Sequence, residues 1–246
     1  MTDTERAVLE LRDVDRSYGT VSVLEGVSLT LRAGSVTALI GPNGSGKTTL
    51  IRTLAGLDDP TEGTVDYRGP ESVRQIGYLP QRPAFRPGQS VSDTLAFYAT
   101  LVGESESEAL ARLERVGLAD AADRDVDALS GGMTRLVGIA QATIGSPPVV
   151  VLDEPASGLD PAMRVHIFDV VEQLAEDGTA VFLSSHDLAL VERTADRVVL
   201  LDAGEIVHDG TPDGLGEARG TSSLLEAFEE SIAAEAGTVQ VQGETT

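Results

Sequence analysis

The only lysine of this 246-residue chain, Lys47, lies in the segment Gly41-Pro42-Asn43-Gly44-Ser45-Gly46-Lys47-Thr48. The segment matches the phosphate-binding loop G-x-x-x-x-G-K-[ST] at every fixed position. Apart from the histidines, every other basic side chain is arginine. A compact ammonium suits a position between the β- and γ-phosphates of a nucleotide, where a planar guanidinium does not. The segment therefore predicts that the chain binds a nucleoside triphosphate.

Each part of this segment has a separate task in holding phosphates. Its glycines can adopt backbone angles that other residues avoid, so successive N–H groups can turn toward an anion. The Thr48 hydroxyl can bind Mg²⁺, and a helix beginning near Lys47 would direct its positive dipole end at the phosphates. The flanks agree, because residues 35–40 have the pattern of a buried strand and residues 49–54 that of a helix. These flanks argue against a glycine-rich turn without a ligand.

Two adjacent carboxylates, Asp153 and Glu154, follow an apolar run at residues 149–152. In isolation, such a pair would usually be solvated turn residues. After a buried strand its meaning changes, because ligands collect at the carboxyl ends of parallel strands. There Asp153 can reach Mg²⁺, and Glu154 can orient or deprotonate an attacking water. The pair is therefore a candidate for metal binding and hydrolysis.

The charge of the chain limits its partners. It has 40 acidic and 18 basic residues, a net charge of −22 and a pI near 4.3. Such a surface repels phosphate backbones and the sequence has no basic run, so nucleic-acid binding is not expected. A solvated acidic surface with one lysine favours adaptation to high intracellular salt, where ions screen self-repulsion. The alternative is an acidic, arginine-preferring genome.

The chain lacks several features that other kinds of site and location require. The chain has no cysteine, which excludes disulfides, thiolate metal sites and cysteine nucleophiles. The histidines His166, His186 and His208 are too dispersed to suggest a metal site. No apolar run approaches the ~18 residues of a membrane span, and residues 1–6 do not resemble a secretory signal. We expect a cytoplasmic protein that reaches a membrane only through a partner.

The order of predicted elements indicates an α/β fold. Strands at residues 8–14 and 27–31, joined by a turn around Tyr18-Gly19, open the chain. From about residue 82 to residue 146 the pattern becomes helical, so a helical lobe interrupts a β-rich core. Strands and helices then alternate, which implies a parallel sheet with right-handed crossovers. The later strands are predicted at residues 149–152, 180–183 and 197–201, helices at 161–174, from Asp187 and at 222–236, and a polar, frayed end at 237–246.

Five more features occur in the order and spacing of a known family. Leu129-Ser130-Gly131-Gly132-Met133 resembles the signature LSGGQ, and Gln81 matches the Q-loop. Residues 157–160 match the D-loop, and His186 matches the switch histidine. Tyr18 stands where the family stacks an aromatic ring on adenine. Nearly all of the chain thus resembles the nucleotide-binding subunit of an ATP-binding cassette (ABC) transporter.

The resemblance implies ATP and Mg²⁺ as ligands and suggests a role for each matched residue. The catalytic residues would be Glu154, His186 and Gln81, with His186 sensing the γ-phosphate. The ligands of Mg²⁺ would be Thr48, Gln81 and Asp153. The nucleotide-binding residues would be Tyr18, Gly41, Pro42, Asn43, Gly44, Ser45, Gly46, Lys47, Thr48 and Thr49.

The signature residues Ser130, Gly131 and Gly132 would form a second anion site at the start of a helix. They lie beyond the helical lobe, so we do not expect them to serve the same chain's nucleotide. The family solves this by head-to-tail dimerisation, in which one chain's signature closes over the other's γ-phosphate and Asp160 couples the two sites. The resemblance therefore implies a nucleotide-sandwich dimer, either homodimeric or heterodimeric. Without the resemblance, Ser130 would be an ordinary helix cap.

The family also implies the architecture. We expect a P-loop NTPase (RecA-like) core with an N-terminal antiparallel β subdomain and an inserted α-helical subdomain. The ATPase domain should span residues 1–220, with the helical subdomain at about 82–146, and a C-terminal helix and polar tail should span residues 221–246.

Two positions depart from the family pattern. Met133 replaces the signature glutamine, and Leu136 occupies a position that is usually basic. In the family, glutamine at this position mainly supports dimer contacts. Its loss should therefore change how the dimer closes without abolishing hydrolysis. Methionine at this position, followed by Ala140-Gln141-Ala142, resembles the branch that serves multidrug, polysaccharide and copper-enzyme-maturation exporters.

Taken together, these features predict an ATPase subunit that drives a separate integral membrane permease, with export as the expected direction. The protein would lie on the inner face of the membrane through that permease, which would dock near residues 85–92. The alternative is a soluble ABC-type ATPase that moves no solute, such as an iron–sulfur assembly factor. DNA-repair members are disfavoured because the stretch between phosphate loop and signature is too short for their coiled coil.

Overall fold

The computed structural model describes residues 6–221 and 223–236, without the side chains of residues 218, 219 and 231–236. The predicted polar end at residues 237–246 lies outside this part. The strands are β1 (Ala7–Tyr18), β2 (Val21–Arg32), β3 (Val36–Ile40), β4 (Glu62–Tyr67), β5 (Ile76–Leu79), β6 (Val149–Leu152), β7 (Ala180–Ser184), β8 (Arg197–Asp202) and β9 (Glu205–Gly210). The helices are α1 (Lys47–Leu54), α2 (Val91–Val102), α3 (Glu106–Arg115), α4 (Gly131–Thr143), α5 (Pro161–Glu176), α6 (Leu188–Thr194), α7 (Pro212–Arg219) and α8 (Leu224–Ala236).

A small antiparallel sheet with the strand order β2-β1-β4 opens the chain. The turn between its first two strands, at Gly19 and Thr20, was predicted to within one residue. Both strands are longer than the alternation at residues 8–14 and 27–31 predicts. The physical reason is irregular pairing: the register shifts along β1, and Asp13 has a φ of +47°. Each irregularity breaks the period-two pattern by which a strand is recognised in sequence.

The main sheet has the order β5-β6-β7-β3-β8-β9, and only β9 runs antiparallel to its neighbour. This confirms the predicted parallel sheet, and the pairing of Asp202 with Glu205 closes a hairpin between β8 and β9. The strands β6, β7 and β3 are adjacent and completely buried. Their carboxyl ends lead into the Asp153-Glu154 pair, the segment before His186 and the phosphate loop. The three predicted catalytic segments therefore meet at one edge of the sheet.

Each face of the main sheet is covered by a different layer. On one face, Ile40 and Leu152 belong to a core shared with the helices α2 to α8. On the other face, Leu39 and Val151 pack with the antiparallel sheet and α1. Burial on both sides explains why the central strands are continuous apolar runs in the sequence.

The inserted lobe consists of α2, α3 and α4, joined by single-turn 3₁₀ segments at Ala119–Ala121 and Val126–Ala128. The sequence predicts the capping box at the start of α3, where the Ser105 hydroxyl accepts a hydrogen bond from the Glu108 N–H and the Glu108 carboxylate accepts one from the Ser105 N–H. Such reciprocal caps satisfy amide groups that a helix end leaves free. This cap marks the start of the helix in the sequence.

The two C-terminal helices differ in how well they were predicted. Helix α7 was not predicted, because Gly214 and Gly216 weaken its helical pattern. Thr211 caps it and Pro212 begins it, a start signal that was available in the sequence. Helix α8 corresponds to the helix predicted at residues 222–236, and its first turn is anchored, because Leu224 and Ala227 are buried in the main core.

Candidate functional site

The phosphate loop connects β3 to α1, as predicted. Gly44 and Gly46 have φ angles of +88° and +104°, a region that strongly favours glycine. A Cβ atom at Gly46 would lie 2.8 Å from the Val23 carbonyl oxygen, so this position also excludes any side chain. The Ser45 carbonyl accepts a hydrogen bond from Gly204 N at 3.1 Å, which ties the loop to the β8–β9 hairpin. The loop is therefore fixed at the N-terminus of α1, where free N–H groups can bind an anion.

Lys47 is folded back into this loop. Its Nζ donates hydrogen bonds to the carbonyl oxygens of Gly41 and Pro42, both at 2.8 Å. The side chain is only 8% exposed. Burial lowers the pKa of Lys47, and the nearby carboxylates of Glu154 and Asp153 oppose that shift. An ammonium has three donors, so one remains for a phosphate oxygen.

Asp153 is held in a buried position at the end of β6. Its side chain is 4% exposed, and its backbone N–H donates to the Leu79 carbonyl at 2.9 Å. The Ser184 hydroxyl, from β7, donates to Asp153 Oδ1 at 3.0 Å. Burial raises the pKa of Asp153 above its ordinary value, and the Ser184 hydrogen bond opposes that shift. Burial of a carboxylate that accepts so few hydrogen bonds is unfavourable, and a bound cation would offset that cost.

The carboxylate of Glu154 is contacted by the side chains of both Gln81 and His186. Gln81 Nε2 donates to Glu154 Oε2 at 2.9 Å, and His186 Nε2 donates to Glu154 Oε1 at 3.0 Å. Burial alone would raise the pKa of Glu154, but these two contacts and the Ser157 hydroxyl bring it below its ordinary value. Three residues predicted as catalytic from distant segments therefore meet at one carboxylate, which is ionised at neutral pH.

The oxygen ligands near this carboxylate fit Mg²⁺. Asp153 is adjacent, the Thr48 side chain is exposed at the start of α1, and the Gln81 amide oxygen is not used in the bond to Glu154. In the described part of the chain, no group of three or more histidine, cysteine or acidic residues could hold a metal. This arrangement suits Mg²⁺, which is usually bound by one or two carboxylates and completes its shell with phosphates and water.

Two residues without a predicted role, Ser184 and Arg135, support the site. The Ser184 hydroxyl also accepts a hydrogen bond from Glu154 N at 2.9 Å, so it contacts both acidic residues. Arg135, from α4, donates through Nη1 to the Glu154 carbonyl at 3.3 Å. Both contacts join segments far apart in sequence, and neither residue type carries a signal for such a role.

The predicted signature begins α4, with Ser130 as the cap. The Ser130 hydroxyl accepts from Met133 N at 3.3 Å, and the helix starts at Gly131. A Cβ at Gly132 would lie 2.6 Å from Met163 Cγ, so any side chain there would displace the Met163 side chain of α5. Leu136 is buried, which explains an apolar residue there. Among the described residues, no hydrogen bond joins the signature to the phosphate loop.

Tyr18 stands at the end of β1 with its ring 47% exposed. Its hydroxyl donates to Asp58 Oδ2 at 3.0 Å, and the Arg16 guanidinium lies 4.6 Å from the ring centroid. Asp58 also pairs with Arg52 of α1 at 2.8 Å. The ring is thereby fixed beside the helix that follows the phosphate loop.

Asp160 caps α5, where its Oδ1 accepts a hydrogen bond from Met163 N at 3.1 Å. The segment before it lines a cavity of about 200 Å³ that also borders Glu154 and His186. The hydrolytic candidates therefore face open space between the Asp160 segment and the start of α6, where water can reach them.

Comparison with known proteins places these observations in a family context. The family model described as "ABC transporter" matches residues 24–157. The lantibiotic transport ATP-binding protein SrtF of Streptococcus pyogenes is 34% identical over 229 residues, covering 92% of this chain and 97% of the relative. The linearmycin resistance ATP-binding protein LnrL of Bacillus subtilis is 32% identical over 230 residues, covering 89% and 74%.

Solved structures agree with the fold. An ATP-binding subunit of an ABC transporter superimposes with a TM-score of 0.81 at 31% identity, covering 91% of this chain and 98% of that one. The ATP-binding cassette MJ0796, in a dimeric post-hydrolysis state bound to ADP and phosphate, has a TM-score of 0.74 at 25% identity, covering 82% and 98%.

Proposed function

Because this chain belongs to the ABC transporter family and is an ATPase subunit that powers transport, we propose that it drives export through a separate membrane permease. Several of the similar proteins carry export or resistance names, among them LnrL and the Nod factor export proteins, which are 32% identical. A spermidine/putrescine import protein of Mesoplasma florum is also similar, at 33% identity. Export is therefore inferred from the relatives with export or resistance names and from Met133, which resembles the exporter branch.

The observation that carries the proposed mechanism is the convergence of Gln81 and His186 on Glu154. We assign Glu154 as the base that accepts a proton from the attacking water, and His186 as the residue that senses the γ-phosphate. Lys47 and the loop amides stabilise the negative charge that develops on the phosphate oxygens, including the leaving oxygen, in the transition state. When Mg²⁺ is bound, it supplies further neutralisation of that charge. Asp153, Thr48 and Gln81 are its proposed ligands.

The proposed active form is a nucleotide-sandwich dimer. Its support is the separation of the signature from the phosphate loop within one chain, together with the dimeric ATP-binding cassettes among the similar structures. In this arrangement Ser130, Gly131 and Gly132 contact the partner's nucleotide, and Asp160 couples the sites. Tyr18 stacks on adenine. The ATPase domain is assigned to residues 1–220 and the C-terminal helix and tail to residues 221–246.

The proposed permease surface lies on the helical lobe. Phe85 is half-buried within the segment 85–92, and two large apolar side chains of α2 nearby are exposed, Phe97 by 56% and Leu101 by 67%. They are four residues apart and therefore share one helix face. Exposed apolar pairs of this kind suit a partner protein. Among the described residues, no helix is long and apolar enough to cross a bilayer. The proposed location on the inner membrane face follows from docking to the permease at this surface.

Replacing Phe97 and Leu101 together with glutamate is expected to release the protein from the membrane fraction of cell lysates. The reason is that two carboxylates would be desolvated at the proposed interface. The purified variant should hydrolyse ATP within about two-fold of the unchanged protein, because neither side chain belongs to the candidate site. Val207→Glu, at a 47% exposed position on β9, is the matched control. Equal membrane association of the double variant and the control would refute this surface.

We also propose that the protein is adapted to high salt. The net charge of −22 supports this, as does the near-complete replacement of lysine by arginine. Many arginines of the structure form exposed pairs with acidic residues, such as Arg193 with Asp169 at 2.9 Å. Pairs of this kind contribute little individually, so they do not offset the excess of acidic groups.

Lowering KCl from molar to tens-of-millimolar concentration is expected to lower the melting temperature. The Debye length grows from about 3 Å at 1 M to about 30 Å at 0.01 M, so repulsion among the acidic groups acts over longer distances. The measurement is a calorimetric melting curve in a KCl series, with a protein of near-zero net charge as control. A melting temperature that stays constant or rises as salt decreases would contradict the adaptation.

A further inference from the structure

Glu154 has an unusual backbone conformation. Its φ is +47°, in the left-handed region that non-glycine residues rarely occupy. It also precedes Pro155, and a following proline restricts the backbone further. Such conformations cost roughly 1–3 kcal/mol and persist only where the surroundings hold them. The hydrolytic candidate therefore has a conformation that needs support from its surroundings.

Both polar groups of the Glu154 backbone are held by other elements. The N–H donates to the Ser184 hydroxyl at 2.9 Å. The carbonyl accepts from Arg135 Nη1 at 3.3 Å and from Ser157 N at 3.2 Å. The Ser157 contact is local, whereas β7 and α4 supply the other two. The support from α4 comes from the helical lobe.

The guanidinium of Arg135 is used in the hydrogen bond to the Glu154 carbonyl. Its side chain is half-buried, and among the described residues the guanidinium forms its hydrogen bond to the Glu154 carbonyl and no carboxylate ion pair. Removal of a half-buried arginine from water is unfavourable unless its donors are used. The helix that carries it begins at the signature, five residues earlier, with Ser130 as its cap.

We propose that Arg135 is a positioning residue that holds Glu154 in its left-handed conformation and so aims its carboxylate at Gln81 and His186. The inference rests on the proposed role of Glu154 as the base. It gives the helical lobe a direct mechanical link to hydrolysis. A movement of α4, on which the signature is built, changes the position of the carboxylate on the same chain.

Arg135→Ala is expected to reduce kcat for ATP by about ten-fold or more, because displacement of a catalytic group by about 1 Å can reduce the rate about 100-fold. The dissociation constant of MgATP should change by less than about two-fold, since the phosphate loop is untouched. Arg135→Lys retains a donor and should recover part of the loss. Arg193→Ala, which removes an exposed arginine of α6, is the matched control.

The decisive measurement is the same substitution in the Glu154→Gln background. If Arg135 acts through Glu154, Arg135→Ala should change the residual single-turnover rate by less than about two-fold there, because the positioned group is already gone. An equal loss in both backgrounds would overturn the inference, as would wild-type kcat in Arg135→Ala or no recovery in Arg135→Lys. Wild-type turnover in Glu154→Gln itself would instead refute the proposed function.

Discussion

Glu154→Gln is expected to lower ATP turnover by about 10²–10³-fold while ATP binding is retained, because a general base typically contributes a factor of this order. The substitution preserves size and removes the proton acceptor. The amide can still accept one hydrogen bond from Gln81 or His186, so the local structure should persist. The phosphate loop, which binds the nucleotide, is not altered.

The loss of hydrolysis with retained binding should also trap the dimer. We expect Glu154→Gln to elute as a dimer in size-exclusion chromatography when MgATP is present, and as a monomer without it. The column is run at the same KCl concentration as the activity assay. Asp169→Asn removes an exposed carboxylate on α5 and is the matched control. Turnover of Glu154→Gln at the wild-type rate would show that Glu154 is not the base.

Lys47→Arg is expected to weaken MgATP binding by about ten-fold or more and to reduce turnover by about 100-fold, a penalty typical of misplaced reacting groups. The Lys47 ammonium is nearly buried between two loop carbonyls, each 2.8 Å from Nζ. A guanidinium keeps the charge but is wider and planar, so it cannot occupy the same space. The loop cannot widen easily, because a Cβ at Gly41 would already lie 2.2 Å from the Leu201 carbonyl oxygen.

This prediction runs against the composition of the chain, in which arginine takes the basic positions elsewhere. The matched control is Arg12→Lys, the reverse exchange at an exposed site on β1 where the arginine pairs with Glu10 at 2.8 Å. Melting curves should show both variants folded. Full activity of Lys47→Arg would mean that the ammonium does not hold phosphate as proposed.

The parts of the fold that were predictable are those with a strong local signal. The phosphate loop carries its own sequence pattern, and the buried strands before Ser45 and Asp153 are continuous apolar runs. The start of α3 is marked by its capping box at Ser105. In each case the information lies within a few residues, so tertiary contacts only confirm it.

The parts that were missed depend on contacts between distant segments. The lengths of β1 and β2 are set by pairing irregularities, and α7 is stabilised by burial of Leu215 although its glycines disfavour a helix. The positions of Arg135 and Ser184 against Glu154 follow from the order of strands and the docking of α4. No spacing rule in the sequence brings residues 135, 154 and 184 together. The left-handed φ of Glu154 was equally invisible, because glutamate has no preference for it.

One calorimetric titration of MgATP tests the central proposal most directly. That proposal is that the phosphate loop holds the nucleotide and that Glu154 is the base for its hydrolysis. The titrated proteins are Glu154→Gln and Glu154→Gln with Lys47→Arg, so that hydrolysis does not disturb the binding curve. We predict clear binding to the single variant and at least about ten-fold weaker binding to the double variant, a difference of about 1.4 kcal/mol. Equal affinity of the two variants, or no binding to either, would contradict the account.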